Sequence, residues 1–188
     1  MSGMSFAQLS QLLLQGTLDT LYMTLVSTAI AYLIGIPLGV ILVITRRDGI
    51  CPAPKTNAVL GTIVNIMRSV PFLILIIVLI PFTRLVAGTS IGATATIVPL
   101  IVGAAPFIAR MVESSLLEVD AGVVEAAQAM GARPWQIVTK VLLKESVPSL
   151  VTGAAIALTT ILGYSAMAGA VGGGGLGDLA IKYGYHRY

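Results

Sequence analysis

Residues 120–148 read DAGVVEAAQAMGARPWQIVTKVLLKESVP, a short, polar, punctuated stretch set into an otherwise strongly apolar chain. Asp120 suits a helix N-cap, because its carboxylate can accept from the orphan amides of a first turn, and this predicts a helix over 121–130. Gly131 ends that helix at a position that favours positive φ. Pro134, with its fixed φ, opens a second helix that runs through Trp135 to Leu143. Val119, Val123, Ala127 and Met130 fall near one face, while Glu125 and Gln128 point elsewhere. The result is a two-turn amphipathic peg. Ala126 and Ala127 keep it slim enough to enter a groove, and Glu125 can offer a carboxylate to donors lining that groove. The pattern alone is more often that of an interfacial helix lying on lipid headgroups.

The flanking sequence decides the solvent. Of 188 residues, 56% are hydrophobic and only 10% charged, with a mean hydropathy of +0.96. Soluble domains carry charge on about a quarter of their residues. The chain is therefore expected to be an all-α, polytopic transmembrane bundle forming a single domain over 1–188. Its apolar runs are continuous, not alternating, which excludes a β-barrel. At roughly 20 apolar residues per crossing, four spans are visible, at about 21–44, 58–80, 92–108 and 149–171. Interior Gly35, Pro37 and Gly39 are compatible with a membrane helix whose neighbours repack the freed backbone.

Lys and Arg set the orientation. The segments 45–57 and 109–147 hold seven, whereas the N-terminus, the 81–90 loop and the C-terminal tail hold three. By the positive-inside rule the two richer loops are cytoplasmic, including 109–147 with its peg, and the N-terminus is outside. The first twenty residues lack the basic region of a cleavable signal, so the first span acts as the insertion signal. Cys51, the single cysteine, excludes an intramolecular disulfide and reads as a free cytoplasmic thiol. Scattered cations in short loops, in place of one basic face, exclude nucleic acid binding.

No catalytic constellation is present. The single histidine, His186, reads as a solvated tail residue, which removes a His-based triad or a multi-His metal site. No carboxylate falls inside the four expected spans to relay protons, although an ion-coupled secondary amino-acid transporter or a channel stays open as an alternative. A non-transporting membrane scaffold is a third reading. Asn65 and Arg68, three apart in the second span, share a face. A cation at mid-span costs at least about 2.5–3.5 kcal/mol, so Arg68 either anchors helix packing near Pro71 or lines a pathway. Gly163 to Gly169 surround Tyr164, Ser165 and Met167 with small residues, and Gly172 to Gly175 follow. Such a run is either a close-packed seam or a pore-side gate in which Tyr164 and Met167 close on their symmetry mates. The glycine tract lacks the Lys-Ser/Thr that a phosphate-binding loop needs.

Glu125, Ala126 and Ala127, followed by three residues and Gly131, form the EAA loop signature. Together with NIMRSVPFLILIIVLIPFTRLVAGTSIG at 65–92, PLIVGAAPFIARMVESSLLEVDAGVVEAAQAMGA at 99–132 and GYSAMAGAVGGGGLGD at 163–178, it resembles the permease subunit of methionine ABC importers, a type I importer permease. The resemblance covers nearly the whole chain. It implies a homodimer in the bacterial inner membrane, two cytoplasmic ATPases that bind ATP and Mg, and an external lipid-anchored methionine-binding protein. It makes the chain a translocation subunit with no catalytic residue and no cofactor of its own. ATPase coupling then falls to Val123, Glu125, Ala126, Ala127, Met130 and Gly131, and the pathway or gate to Tyr164, Ser165, Met167, Asn65 and Arg68. Two departures accompany it. Leu143 and Lys144 stand where a Leu-Pro is usual, the next proline being Pro148, and the family's fifth span after the glycine-rich segment is expected to be missing.

Overall fold

The protein is described by a computed structural model over residues 6–185. His186, read above as a tail residue, lies outside the described residues. The described chain is helical, and no strand occurs within it. Helix α1 covers Phe6–Ile44. At 1.5 Å per residue its 39 residues reach about 58 Å, well beyond the ~30 Å hydrocarbon core. The expected start near Leu21 is thus fifteen residues late. Nothing between 6 and 20 stops a helix: Thr17 and Thr20 donate their hydroxyls back to Leu13 and Gly16 carbonyls, and Gln15 donates to Asp19. Pro37 is carried inside the helix.

The second expected span is not one helix. Helix α2, Pro54–Ser69, and α3, Phe72–Val78, meet at an angle of 101°. Pro71 lacks the amide donor that a continuing helix needs, and its ring pushes Val70 out of the helical region. Helix α4, Ile80–Ala87, follows and ends on Gly88 at φ 74°. Helix α5 is Ala93–Leu117, nine residues longer at its C-terminal end than the expected third span. The peg is α6, Ala121–Ala129. Next come α7, Pro134–Ile137, a π-helical turn at Val138–Leu142, and α8, Leu143–Glu145. Helix α9 is Val147–Ala168, with Pro148 in the first turn, where proline is tolerated. A 3-10 turn at Gly169–Val171 leads to α10, Gly175–Leu179, and a final π-helical turn, Ala180–Tyr185. Among the described residues three helices are long and apolar enough to cross a membrane, or four if the bent α2–α3 pair counts as one crossing.

The chain divides into two compact units, and α1, α5 and α9 each contribute to both. The first contains residues up to Ile30, Val70–Ala104 and Leu158 onward. Met23, Phe72, Ile76, Leu100, Ile161 and Ala168 form its core. The glycine tract closes it: the Leu176 amide donates to Thr20 Oγ1 at 2.9 Å, Thr96 Oγ1 donates to the Gly173 carbonyl at 3.1 Å, and the Gly92 amide to the Gly172 carbonyl at 2.9 Å. A Cβ on Gly175 would stand 2.6 Å from Thr20 Oγ1. The tract is therefore a packing knot.

The second unit contains Ala31–Ser69 and Ala105–Ala157. Here α1 and α5 approach at two glycines: a Cβ on Gly35 would meet Ile108 Cγ2 at 2.5 Å, and one on Gly39 would meet the Ala109 carbonyl oxygen at 2.7 Å. In lipid, where apolar burial between helices gives no gain, such close backbone contact is what holds helices together. Asn57 fastens α2 to the end of α1, its amide donating to the Leu42 carbonyl at 2.6 Å and to Thr45 Oγ1 at 3.1 Å.

Candidate functional site

Both ends of the peg are built as the sequence dictates. Asp120 Oδ1 accepts from the Gly122 amide at 2.7 Å. At the other end the Ala132 amide donates to the Ala127 carbonyl at 3.0 Å and the Gly131 amide to the Gln128 carbonyl at 2.9 Å. That pair of bonds is a Schellman motif, and Gly131 supplies the left-handed residue it requires, at φ 78°. Only one change from the expected bounds appears: the helix stops at Ala129, one residue before Met130.

The peg presents more of itself than it buries. Ala127 is buried and Val124 half-buried, while Val123, Glu125, Ala126 and Met130 are exposed. Met130 is 81% exposed and Trp135, across the turn, 74%. Two bulky apolar side chains exposed on one loop form a surface that asks for a cover. Val123 and Ala127, expected on one face, are therefore split, with Ala127 turned to the core and Val123 out. The second helix departs further from expectation. Its middle winds into a π turn, which uses i→i+5 bonds, and Ile137, Val138, Leu142 and Ser146 are the buried positions along it. Gln136 Oε1 accepts from the Arg133 amide at 2.8 Å and caps its start.

The loop is fastened at its base to the helices that enter and leave it. Ser146 Oγ donates to the Ser115 carbonyl at 3.0 Å, and Ser149 Oγ to Ser115 Oγ at 2.9 Å. A cleft of about 320 Å³ opens beside the peg, lined by residues that include Arg46, Asp48, Leu117, Val124, Glu125 and Gln128. At its rim Arg46 Nε pairs with Asp48 Oδ1 at 3.2 Å. The Asp48 carboxyl is held below its ordinary range by a backbone hydrogen bond, then by the Arg46 hydrogen bond and charge.

Asn65 is tied to Arg110 of α5. Its Oδ1 accepts from Arg110 Nε at 3.1 Å, whereas Arg68 is an exposed side chain near the end of α2. Arg110 also donates through Nη2 to the Gly61 carbonyl at 2.9 Å and through Nη1 to Glu113 Oε2 at 2.6 Å. Sequence reasoning counted Arg110 only as a flanking cation. The available signal was the i,i+3 Arg110–Glu113 spacing, which places opposite charges on one helix face.

In the other unit Tyr164 is half-buried and stacks on Phe72, with ring centroids 4.5 Å apart and planes 3° from parallel. Ser165 is 1% exposed and its hydroxyl donates to the Leu162 carbonyl at 2.8 Å, so it faces the protein interior. Met167 is 47% exposed. The two glycines that flank these residues differ. A Cβ on Gly163 would meet nothing within 4 Å, whereas one on Gly169 would collide with Gly177 and Asp178 of the same chain.

A helical chain with apolar spans and a capped peg between two long helices is the architecture of an importer permease. The chain belongs to the family of binding-protein-dependent transport system inner membrane components, which it matches over residues 35–185. It is 56% identical over 183 residues to the probable D-methionine transport system permease protein MetI of Vibrio cholerae, covering 97% of this chain and 81% of that one. To the D-methionine transport system permease protein MetI of Escherichia coli K12 it is 56% identical over 158 residues, covering 84% and 73%. The fold matches a solved inward-facing MetNI methionine ABC transporter chain with a TM-score of 0.96 at 55% identity, over 98% of this chain and 85% of that one. A chain of an amino acid ABC transporter, 20% identical with a TM-score of 0.75 over 97% of this chain and 83% of that one, shares the fold alone. The protein is thus an inner-membrane permease component of an ABC importer, which replaces the ion-coupled alternative.

Proposed function

We propose that this permease imports methionine, working as a homodimer with two copies of a cytoplasmic ATPase and an external lipid-anchored binding protein. The 55–56% identity to methionine permeases over most of the chain supports the substrate. The single observation that carries the mechanism is the peg itself, rigidly capped at Asp120 and Gly131, with Val123, Met130 and Trp135 exposed beside it. ATP and Mg are bound by the ATPase, and the permease makes and breaks no covalent bond. Val123, Glu125, Ala126, Ala127, Met130 and Gly131 form the seat for the ATPase, with Ala127 anchoring the peg from beneath.

Closure of the ATPases on ATP pushes the paired pegs, and the serine ties at Ser115 pass that push into the attached helices. The pathway then opens outward to receive substrate from the binding protein, a rigid-body conversion of one motion into another. Tyr164 and Met167 form the gate near the dimer axis. The loops at 45–57 and 109–147 are cytoplasmic and the N-terminus is outside.

Reconstitution decides the reading. The permease is co-purified with its ATPase, placed in proteoliposomes and given the binding protein and labelled methionine. Uptake that needs ATP, the ATPase and the binding protein together is the expected result. Uptake by the permease alone on an ion gradient, or none of methionine with uptake of another amino acid, overturns the mechanism or the substrate respectively.

A further inference from the structure

The Arg110 guanidinium joins α5 to α2 through residues 45 and 49 positions away in the chain. It reaches Asn65 Oδ1 and the Gly61 carbonyl on α2 and Glu113 on its own helix α5. The side chains of Arg110 and Glu113 are only 24% and 13% exposed, so the pair is largely withdrawn from solvent. Gly61 is buried, and a Cβ there would stand 3.1 Å from Arg110 Nη2, so the guanidinium lies in the space that the missing side chain leaves. A planar fork with several fixed donors can serve three acceptors at once, whereas a lysine ammonium acts as a point charge.

The position along the chain matters as much as the contacts. Helix α5 continues unbroken from Arg110 to Leu117, passes the serine tie at Ser115, and is followed within three residues by Asp120, the cap of the peg. A displacement of the peg therefore reaches Arg110 through one rigid element. From Arg110 it passes to α2, because the guanidinium grips two acceptors one turn apart there.

We propose that Arg110 is the positioning residue that makes α2 follow the peg, with Glu113 aiming its guanidinium. The proposal rests on the reading that the peg docks an ATPase. The contribution of Arg110 is the direction in which motion is passed.

The test needs no transported substrate, which separates it from the methionine reading. In a Cys51→Ser background, Ile66→Cys places a thiol on the exposed face of α2, where Ile66 is 62% exposed. Alkylation at 66 is timed in the complete complex with its ATPase, with and without ATP and vanadate. The parent complex should show an ATP-dependent change in rate, and Arg110→Lys should shrink that change by about fivefold or more while the ATPase stays bound and hydrolyses ATP. Gly61→Val, which fills the space of the guanidinium without touching a charge, should do the same and decides alone if the Arg110 variant fails to assemble. A merely structural role would lower the yield of complex and leave the ATP response per complex unchanged. An undiminished response in the variants, or no response in the parent complex, overturns the proposal. A parent chain that binds no ATPase overturns the docking reading and the tie with it.

Discussion

The rings of Phe72 and Tyr164 lie face to face, with centroids 4.5 Å apart and planes within 3°. This contact ties the residue just after the Pro71 break to the small-residue segment of α9. It holds Tyr164 in place and leaves Met167, three residues on, 47% exposed. Phe72→Leu should cost about 1 kcal/mol of the aromatic pairing and free Tyr164 to turn. On the gate reading the variant leaks, and ATP hydrolysis loses its dependence on the binding protein. Hydrolysis that stays tightly dependent, with only the thermal midpoint lowered, would leave the pair a packing role.

Gly163 faces open space in the single chain, so a larger residue there strains nothing internal. Gly163→Leu should therefore leave the isolated chain folded and weaken association of two copies, because small residues are what allow transmembrane helices to approach closely. Size-exclusion chromatography with light scattering reads the copy number. A companion measurement places Met167→Cys in a Cys51→Ser background, where cross-linking between copies should depend on trapped ATP. A dimer unaffected by Gly163→Leu and silent at 167 in every state would remove the dimer axis from this segment.

Gly131 sits at φ 78° and Glu125 is an exposed carboxylate on the peg. Gly131→Val forces a β-branched residue into a left-handed position at a cost of roughly 1–2 kcal/mol, confined to the turn. Glu125→Lys, a surface change, should alter folding by less than about 0.5 kcal/mol. Both should weaken ATPase co-elution while the helices still insert. Normal stimulated hydrolysis in both variant complexes would remove the peg from coupling.

Gly39→Ala provides the contrast. Its Cβ would stand 2.7 Å from the Ala109 carbonyl oxygen, a backbone atom that cannot swing aside. We expect a loss of about 1–3 kcal/mol, the usual range for overpacking, seen as a lower unfolding midpoint in detergent. A midpoint equal to that of the parent would mean that α1 and α5 slide freely at this crossing.

Cys51 is a free, exposed thiol in a loop that we propose is cytoplasmic. A membrane-impermeant maleimide should leave it unlabelled in intact cells and label it after permeabilisation. Labelling in intact cells would place the peg on the side away from any ATPase.

Local chemistry is legible in the order of the residues. Asp120 and Gly131 announce the two ends of the peg because a cap bond and a positive φ are settled within one turn of chain. Bulk hydropathy makes lipid the solvent and helix the only open spanning form. Pro71 carries the break between α2 and α3 in plain view, yet the continuous apolar run around it masks the break in any count by hydropathy. What only the tertiary structure decided is which side chains meet. Arg110 finds Gly61 and Asn65, Tyr164 finds Phe72, and the glycine tract packs on Thr20 and Thr96. The physical reason is that helices apolar on nearly every side carry little facial signal. Their partners are chosen by close backbone approach and a few polar bonds across long separations, and neither leaves a periodic mark in the sequence.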